Sequence, residues 1–100
     1  MAEEESIFDR VFEEVDLIGR HIEMLKVTRD LQPIGIIRLS EALGIPKHKV
    51  RYSLRLLEKE GLIIATSEGA MVSDKYEEFI GGVSGQLEDL IKRIERIRQS

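Results

Sequence analysis

The chain has 100 residues, of which 42% are apolar and 34% are charged, and this composition fits one small domain with a single modest core. Its formal net charge of −4 is unusual for a nucleic-acid binder, because such proteins need a basic surface to neutralise phosphate. The chain has no cysteine, which excludes disulfides and thiolate metal sites, and its apolar runs are far shorter than the roughly 20 residues of a membrane-spanning helix.

Composition also gives two weaker expectations. No charged-then-apolar leader is present, which predicts a cytoplasmic protein with no membrane partner. The absence of Asn and Cys, together with abundant Ile and charged residues, favours an archaeal or thermophilic source. Nucleophile motifs, metal-ligand spacings and a phosphate-binding glycine loop are all missing, so we expect neither an enzyme nor a cofactor.

The first predicted element is a long N-terminal helix over residues 6–30. Ser6 is placed to cap it, and the helix should end near Asp30 because the residue before Pro33 disfavours helical dihedral angles. An apolar stripe of heptad spacing, here called the N-terminal seam, comprises Phe8, Val11, Val15, Ile18, Ile22 and Leu25. Phe12 and Met24 widen this stripe, whereas His21 is expected among polar neighbours.

Residues 34–75 are predicted to form two short helices around a tight turn, followed by a hairpin. The apolar face of the first helix comprises Ile36, Leu39, Ala42 and Leu43. Gly44 breaks this helix, and Pro46 suits the first turn of the next one, which should span about residues 46–60. In that next helix Val50, Leu54 and Leu57 share one buried stripe, and Gly61 follows where a left-handed residue commonly closes a helix.

The remaining face of this later helix is basic. It carries Lys47, His48, Lys49, Arg51, Tyr52 and Arg55. Residues 38–59 have a local charge of +4, from six basic and two acidic residues, whereas residues 1–16 have −6, from seven acidic residues and one basic residue. An acidic chain with this polarity is able to present a basic face to DNA.

A hairpin and a second long helix complete the chain. Strand-like residues 62–66 and 70–73 flank a three-residue loop, 67–69. The sequence does not decide whether residues 34–36 pair with this hairpin. The predicted C-terminal helix over 76–99 carries a second stripe of heptad spacing, the C-terminal seam, which comprises Tyr76, Ile80, Val83, Leu87, Leu90, Ile94 and Ile97. Gly81, Gly82 and Gly85 favour a kink or loosened turn in its first half.

The spacing of residues 39–63 resembles that of a known family. The residues that carry the resemblance are Leu39, Ala42, Leu43, Gly44, Val50, Leu54, Leu57, Glu58, Gly61, Leu62 and Ile63. On this pattern, residues 17–75 resemble a winged helix-turn-helix domain of prokaryotic and archaeal transcriptional regulators. The resemblance implies a mainly α protein with a small β-hairpin, one domain over residues 1–100, and long N- and C-terminal helices flanking the winged helix-turn-helix.

The resemblance also implies a function. In that family the third helix enters the major groove of double-stranded DNA, so by position Lys47, His48, Lys49, Arg51, Tyr52 and Arg55 would bind DNA. This chain departs from the family at the wing tip, where Glu68 replaces the usual Arg or Lys, and at Pro46, where a Ser or Thr cap is frequent. The third helix is therefore expected to provide most of the binding.

Several alternatives stay open at this level. The basic residues are also compatible with an ordinary solvated face, Tyr52 either contacts DNA or packs on the domain, and His48 is either a phosphate contact or a plain surface residue. Two seams exceed what about 60 residues of winged domain cover, so we expect a homodimer. Its candidate contacts are Val11, Val15, Ile18, Ile22, Val83, Leu87, Leu90, Ile94 and Ile97. Either seam, both seams, or an intramolecular pairing of the two is possible.

The leading hypothesis is a homodimeric, sequence-specific, DNA-binding transcriptional regulator. The alternative is a winged-helix adaptor that binds proteins in a transcription or chromosome assembly, which the acidic balance and the acidic wing tip favour. The residues indicate no operator, effector or regulated pathway, and they do not distinguish activation from repression.

Overall fold

The computed structural model describes residues 6–100 as four α-helices and one antiparallel hairpin. In chain order these are α1 (Ile7–Leu31), α2 (Ile36–Leu43), α3 (Lys47–Lys59), β1 (Ile63–Thr66), β2 (Gly69–Val72) and α4 (Tyr76–Gln99). The predicted fold class, mainly α with a small hairpin and long terminal helices, is confirmed. Glu3, Glu4 and Glu5, which contribute to the predicted acidic segment, lie outside the described residues.

Helix α1 begins at the predicted cap. The Ser6 hydroxyl accepts a hydrogen bond from the Asp9 N–H at 3.1 Å, and the Asp9 carboxylate accepts one from the Ser6 N–H at 3.2 Å, which completes a capping box. The helix ends at Leu31, one residue later than predicted and just before the cis Gln32–Pro33 peptide. The Gln32 side chain then accepts a hydrogen bond from the Val72 N–H at 2.9 Å, which fastens this end of α1 to the hairpin.

The turn between α2 and α3 is held by Gly44 and Ser40. Gly44 adopts the left-handed conformation, with φ 68°, and its N–H donates to the Ser40 carbonyl at 2.9 Å. The Ser40 hydroxyl donates to the Ile45 carbonyl at 2.5 Å. Pro46 has an extended ψ of 151° and precedes α3 as its N-cap, so it does not occupy the first helical turn as predicted.

The loop of the hairpin is shorter than predicted, and a third segment of the chain pairs with the hairpin. Thr66 pairs with Gly69, so the loop contains only Ser67 and Glu68, one residue fewer than expected. Ile34 pairs with Ala70 through two backbone hydrogen bonds of 3.1 and 2.8 Å, which answers the question left open for residues 34–36. The chain entering α2 therefore forms an additional edge of the sheet.

All six elements and their connections contribute to one core. Its buried apolar members are Met24, Leu25, Ile34, Leu39, Val50, Leu57, Leu62, Ile63, Ala70 and Tyr76. The predicted stripe of α3 is confirmed, with Val50 and Leu57 buried and Leu54 half-buried. Ala42 is exposed, so its predicted place on the core face of α2 is wrong. The core packs α2 and α3 under the hairpin, and this fixes the direction in which α3 presents its outer face.

The N-terminal seam does not face this core. Residues 7–16 are exposed throughout, and only Leu25 of the seam is fully buried. The face of α1 that packs against the domain contains His21, Met24, Leu25 and Thr28, because α2, α3 and β2 contact the helix from that side. His21 is only 9% exposed, and Arg20, Glu14 and Tyr52 are among the residues around it.

Helix α4 extends away from the domain. It runs as one continuous α-helix through Gly81, Gly82 and Gly85, so these glycines do not interrupt it. Tyr76 is its buried residue, Ile80 and Val83 are half-buried, and residues 84–100 are all exposed. The radius of gyration is accordingly 15.8 Å, above the value of about 13 Å expected for a compact domain of this length. Within residues 6–100, no helix combines the length and apolar character needed to cross a membrane.

Candidate nucleic-acid interface

The outer face of α3 is available to a ligand. Val50, Ser53 and Leu57 hold the opposite face in the core, and the helical periodicity directs the other side chains outward. All six predicted DNA-binding residues are exposed, namely Lys47, His48, Lys49, Arg51, Tyr52 and Arg55. The structure therefore brings the predicted residues together on one solvent-facing surface of a rigid helix.

A basic concavity lies between α1 and this face of α3. It is lined by Leu17, Arg20, His48, Lys49, Arg51, Tyr52 and Arg55. None of these lining residues is acidic, and four of them carry a permanent positive charge at neutral pH. A concave surface with charges of one sign concentrates field lines and attracts ions of the opposite sign. Its electrostatics therefore favour an anion.

Sequence reasoning missed Arg20, which joins α1 to α3 at this concavity. Its Nε donates a hydrogen bond to the Ser53 hydroxyl at 2.9 Å, and Ser53 is fully buried. The guanidinium carbon lies 6.0 Å from the centre of the Tyr52 ring, within cation–π range. The only signal in the sequence was that Arg20 shares a helical face with Met24, which lies four residues later.

Tyr52 packs on the domain, which is one of the two roles that the sequence left open, and it also remains half exposed. Its ring stacks on the imidazole of His21, with the ring centres 6.4 Å apart and the planes inclined by 27°. The residue nevertheless keeps 50% of its surface exposed. One side of the ring thus packs against α1, while the rest of the side chain remains accessible beside the basic residues of α3.

His21 lies beneath this surface, where its surroundings favour the neutral ring. Burial lowers the pKa of His21, the neighbouring positive charge of Arg20 lowers it further, and Glu14 acts weakly in the opposite direction. Neither ring nitrogen has a hydrogen-bond partner among the described residues. A protonated ring would bring an unpaired charge into the contact between α1 and α3, and this contact therefore favours the neutral form.

A second groove separates α3 from the hairpin tip. Arg51, Arg55 and Glu58 line its helical side, and Thr66 and Glu68 belong to its hairpin side. The Thr66 hydroxyl accepts from the Glu68 N–H at 3.2 Å and donates to the Gly69 carbonyl at 2.6 Å, which fixes the turn. The backbone of Glu68 is therefore fixed at the tip, and its carboxylate brings a negative charge to this groove.

The residues predicted for dimerisation lie on surfaces open to a partner. Val11, Val15, Ile18, Leu87, Leu90, Ile94 and Ile97 are exposed, and Ile22 and Val83 are half-buried. The two seams do not bury each other, because an open groove lined by Ile18, Ile22, Phe79 and Leu90, among others, separates α1 from α4. The structure thus disfavours the intramolecular pairing that the sequence left possible.

The described part of the chain contains no group of three or more His, Asp or Glu residues arranged to hold a metal ion. The basic concavity and the exposed face of α3 are therefore the features with the clearest ligand chemistry in residues 6–100. Comparison with protein-family models and with curated proteins found no match to this chain.

Proposed function

We propose that this protein is a sequence-specific, DNA-binding transcriptional regulator that acts as a homodimer and inserts α3 into the major groove. The observation that carries the proposal is the outer face of α3, where Lys47, Lys49, Arg51 and Arg55 are all exposed. These charges lie together although the whole chain is acidic, and the concavity beside them has no acidic lining residue. A surface of this kind is suited to the DNA backbone and to guanine edges.

The dimensions of α3 support this assignment. Its 13 residues correspond to a rod about 20 Å long, and the major groove is about 12 Å wide and admits one α-helix. Arg51 and Arg55 lie one helical turn apart, so both side chains reach the same side of the groove. We assign Lys47 and Lys49, near the start of the helix, to flanking phosphates. We assign Arg51 and Arg55 to base edges in an operator and to phosphates in random-sequence DNA.

Dimerisation is supported by the exposed seams. To bind successive major grooves on one face of the duplex, a homodimer that buries the seams needs its two copies of α3 about 34 Å apart. Because a two-fold axis relates the copies, the operator would be palindromic. The seams lie on helices that extend beyond the core, so burying them leaves the face of α3 accessible.

The test is a binding titration with two matched double variants. Fluorescence anisotropy on random-sequence duplex DNA, repeated across a salt series, gives the affinity and its salt dependence. We expect Arg51→Ala/Arg55→Ala to weaken binding by at least about tenfold and to flatten the salt dependence. Lys26→Ala/Lys75→Ala removes the same charge from two exposed positions outside α3 and outside the apolar seams, and it should bind like the unaltered protein.

The competing function is a protein-interaction adaptor. The acidic Glu68 at the hairpin tip and the net charge of −4 are the observations in its favour. An adaptor would show no DNA binding even at low salt, or equal DNA affinity for both double variants. Loss of binding confined to Arg51→Ala/Arg55→Ala, with the solution mass unchanged, supports the regulator.

A further inference from the structure

We propose that Arg20, on the first helix, binds a phosphate of the DNA backbone beside the groove that α3 enters. This inference rests on the proposed function and extends its binding site from α3 to α1. The site would be the basic concavity, in which Arg20 forms the α1 wall and Lys49 and Arg55 belong to the α3 wall.

The guanidinium of Arg20 is already anchored for this role. Its Nε is occupied by the hydroxyl of Ser53, so the side chain is held in one orientation by a buried partner. The hydrogen bond uses one of the five N–H donors, and the two terminal amino groups supply the other four. Neither ion pair found among the described residues involves Arg20. An oriented guanidinium with unused donors suits bidentate binding of a phosphate, at little further cost in side-chain entropy.

The surroundings select an anion over other ligands. His48, Lys49, Arg51 and Arg55 approach the same concavity, and no carboxylate lines it. A metal ion would be repelled by these charges, and an apolar ligand would leave them desolvated without a partner. Tyr52 contributes a half-exposed ring, whose hydroxyl is also a suitable phosphate donor.

The position of the concavity favours a backbone phosphate over a free anion. It is continuous with the exposed face of α3, since His48, Lys49, Arg51, Tyr52 and Arg55 belong to both surfaces. A helix in the major groove is flanked on each side by a phosphate strand. Arg20 lies to one side of α3, where one of these strands passes if α3 enters the groove with its basic face.

Arg20→Gln tests the assignment through the salt dependence of DNA binding. Loss of one phosphate contact should reduce the magnitude of the slope of log K against log salt by about 1 and weaken binding on the order of tenfold at 0.1 M salt. The loss should be the same on random and on operator sequences, because phosphate contacts carry no sequence information. Lys26→Gln, on an exposed turn of α1 about 9 Å further along the helix axis, is the matched control and should change neither quantity.

A second variant separates phosphate binding from a purely structural role. Ser53→Ala removes the anchor but keeps the charge of Arg20, so the salt slope should stay that of the unaltered protein. If Ser53→Ala and Arg20→Gln flatten the slope equally while thermal unfolding shows both to be folded, Arg20 only positions α3 and the inference is wrong. Unaltered affinity and slope in Arg20→Gln would also overturn it.

Two further outcomes keep the inference distinct from the proposed function. If the unaltered protein binds no DNA, the proposed function fails first and the inference fails with it. If DNA binds but is displaced by millimolar inorganic phosphate at constant ionic strength, the concavity is a free-anion site and the backbone assignment is wrong. We expect no such displacement.

Discussion

Gly69 is the residue at which the hairpin contacts the chain entering α2. Its φ of 133° disfavours any side chain, and a Cβ there would lie only 2.7 Å from the carbonyl carbon of Ile34. We expect Gly69→Ala to lower the free energy of unfolding by at least about 1–3 kcal/mol, because the backbone strain adds to the loss of the Ile34–Ala70 pairing. Urea denaturation at fixed protein concentration measures the change.

Gly81 provides the matched control for this prediction. It lies in helix α4 with open space where a Cβ would project, so Gly81→Ala should leave stability unchanged or raise it by up to about 1 kcal/mol. Equal stability of Gly69→Ala and the unaltered protein would show that the contact between residue 69 and Ile34 is not part of the folded state in solution.

His21 should make stability depend on pH. Because burial, aided by Arg20, lowers its pKa in the folded state, the unfolded chain binds a proton at a higher pH than the folded chain does. The contribution of the neutral ring is therefore complete above the ordinary histidine pKa of about 6.5 and is lost as pH falls from there through the lowered pKa. We expect the urea concentration at the midpoint of unfolding to decrease as the pH is lowered from 7.5 to 5.5. This interval lies above the range in which most carboxylates titrate.

The variant that checks this is His21→Phe, which keeps an aromatic ring against Tyr52 but does not titrate. Its urea midpoint should vary less with pH over the same interval. His48→Gln removes the other histidine, which is exposed on α3, and should retain the full pH dependence. If the pH dependence persists in His21→Phe and disappears in His48→Gln, His48 causes it and the prediction for His21 is wrong.

The sequence predicted the limits of the helices more accurately than the faces through which they pack. The limits of α1 and α4 were within one residue, because Ser6 and the proline at 33 are strong boundary signals and the apolar period is regular. Of the buried face of α1, Met24 and Leu25 belong to the predicted stripe, whereas His21 and Thr28 do not, and the first half of the stripe lies on a side that no other described element covers. Tertiary neighbours, not helical periodicity, select the side containing Met24.

The same limit applies to the candidate site. The basic face of α3 was predictable, because Val50 and Leu57 define the buried stripe and the remaining residues must project outward. Arg20 was not, because its role depends on the distance between two helices, and α1 and α3 are separated in the chain by the whole of α2. The buried hydroxyl of Ser53 likewise acquires its partner only when α1 docks.

The charge at the hairpin tip provides a test of the proposed DNA binding. Glu68 occupies an exposed turn position, and its backbone N–H donates to the Thr66 hydroxyl, an interaction that does not depend on the side chain at 68. Glu68→Lys should therefore leave the fold intact and raise DNA affinity several-fold at low salt, since it replaces a repelled charge by an attracted one. Asp74→Lys makes the same change of charge at an exposed position before α4, away from the hairpin tip, and should have little effect. If both variants raise affinity equally, net charge is responsible and the tip does not approach DNA.

Charge and exposed apolar surface are both distributed unevenly over the molecule. Residues 7–18 of α1 carry four acidic residues and one basic residue, whereas residues 91–99 of α4 carry four basic residues and one acidic residue. The two segments are thus opposite in charge, and both expose apolar seam residues. Complementary charges beside apolar seams are typical of helices that pair with a defined partner. This favours a homodimer in which α1 of one copy lies beside α4 of the other.

Ile94→Glu tests whether the seams form the dimer. Ile94 is 50% exposed in the single chain, so a carboxylate there is hydrated in the monomer, whereas burial in a dimer seam would leave it unpaired at a cost of several kcal/mol. We expect the solution mass, measured by light scattering, to fall from dimer to monomer while the helical circular dichroism is largely kept.

Ile64→Glu is the matched control, because Ile64 is also 50% exposed but lies on β1, away from both seams, so this variant should remain dimeric. The monomeric Ile94→Glu should also lose the preference for paired half-sites, because one α3 contacts only one of them. A dimeric Ile94→Glu protein would place the interface elsewhere and remove the reason to expect two recognition helices 34 Å apart.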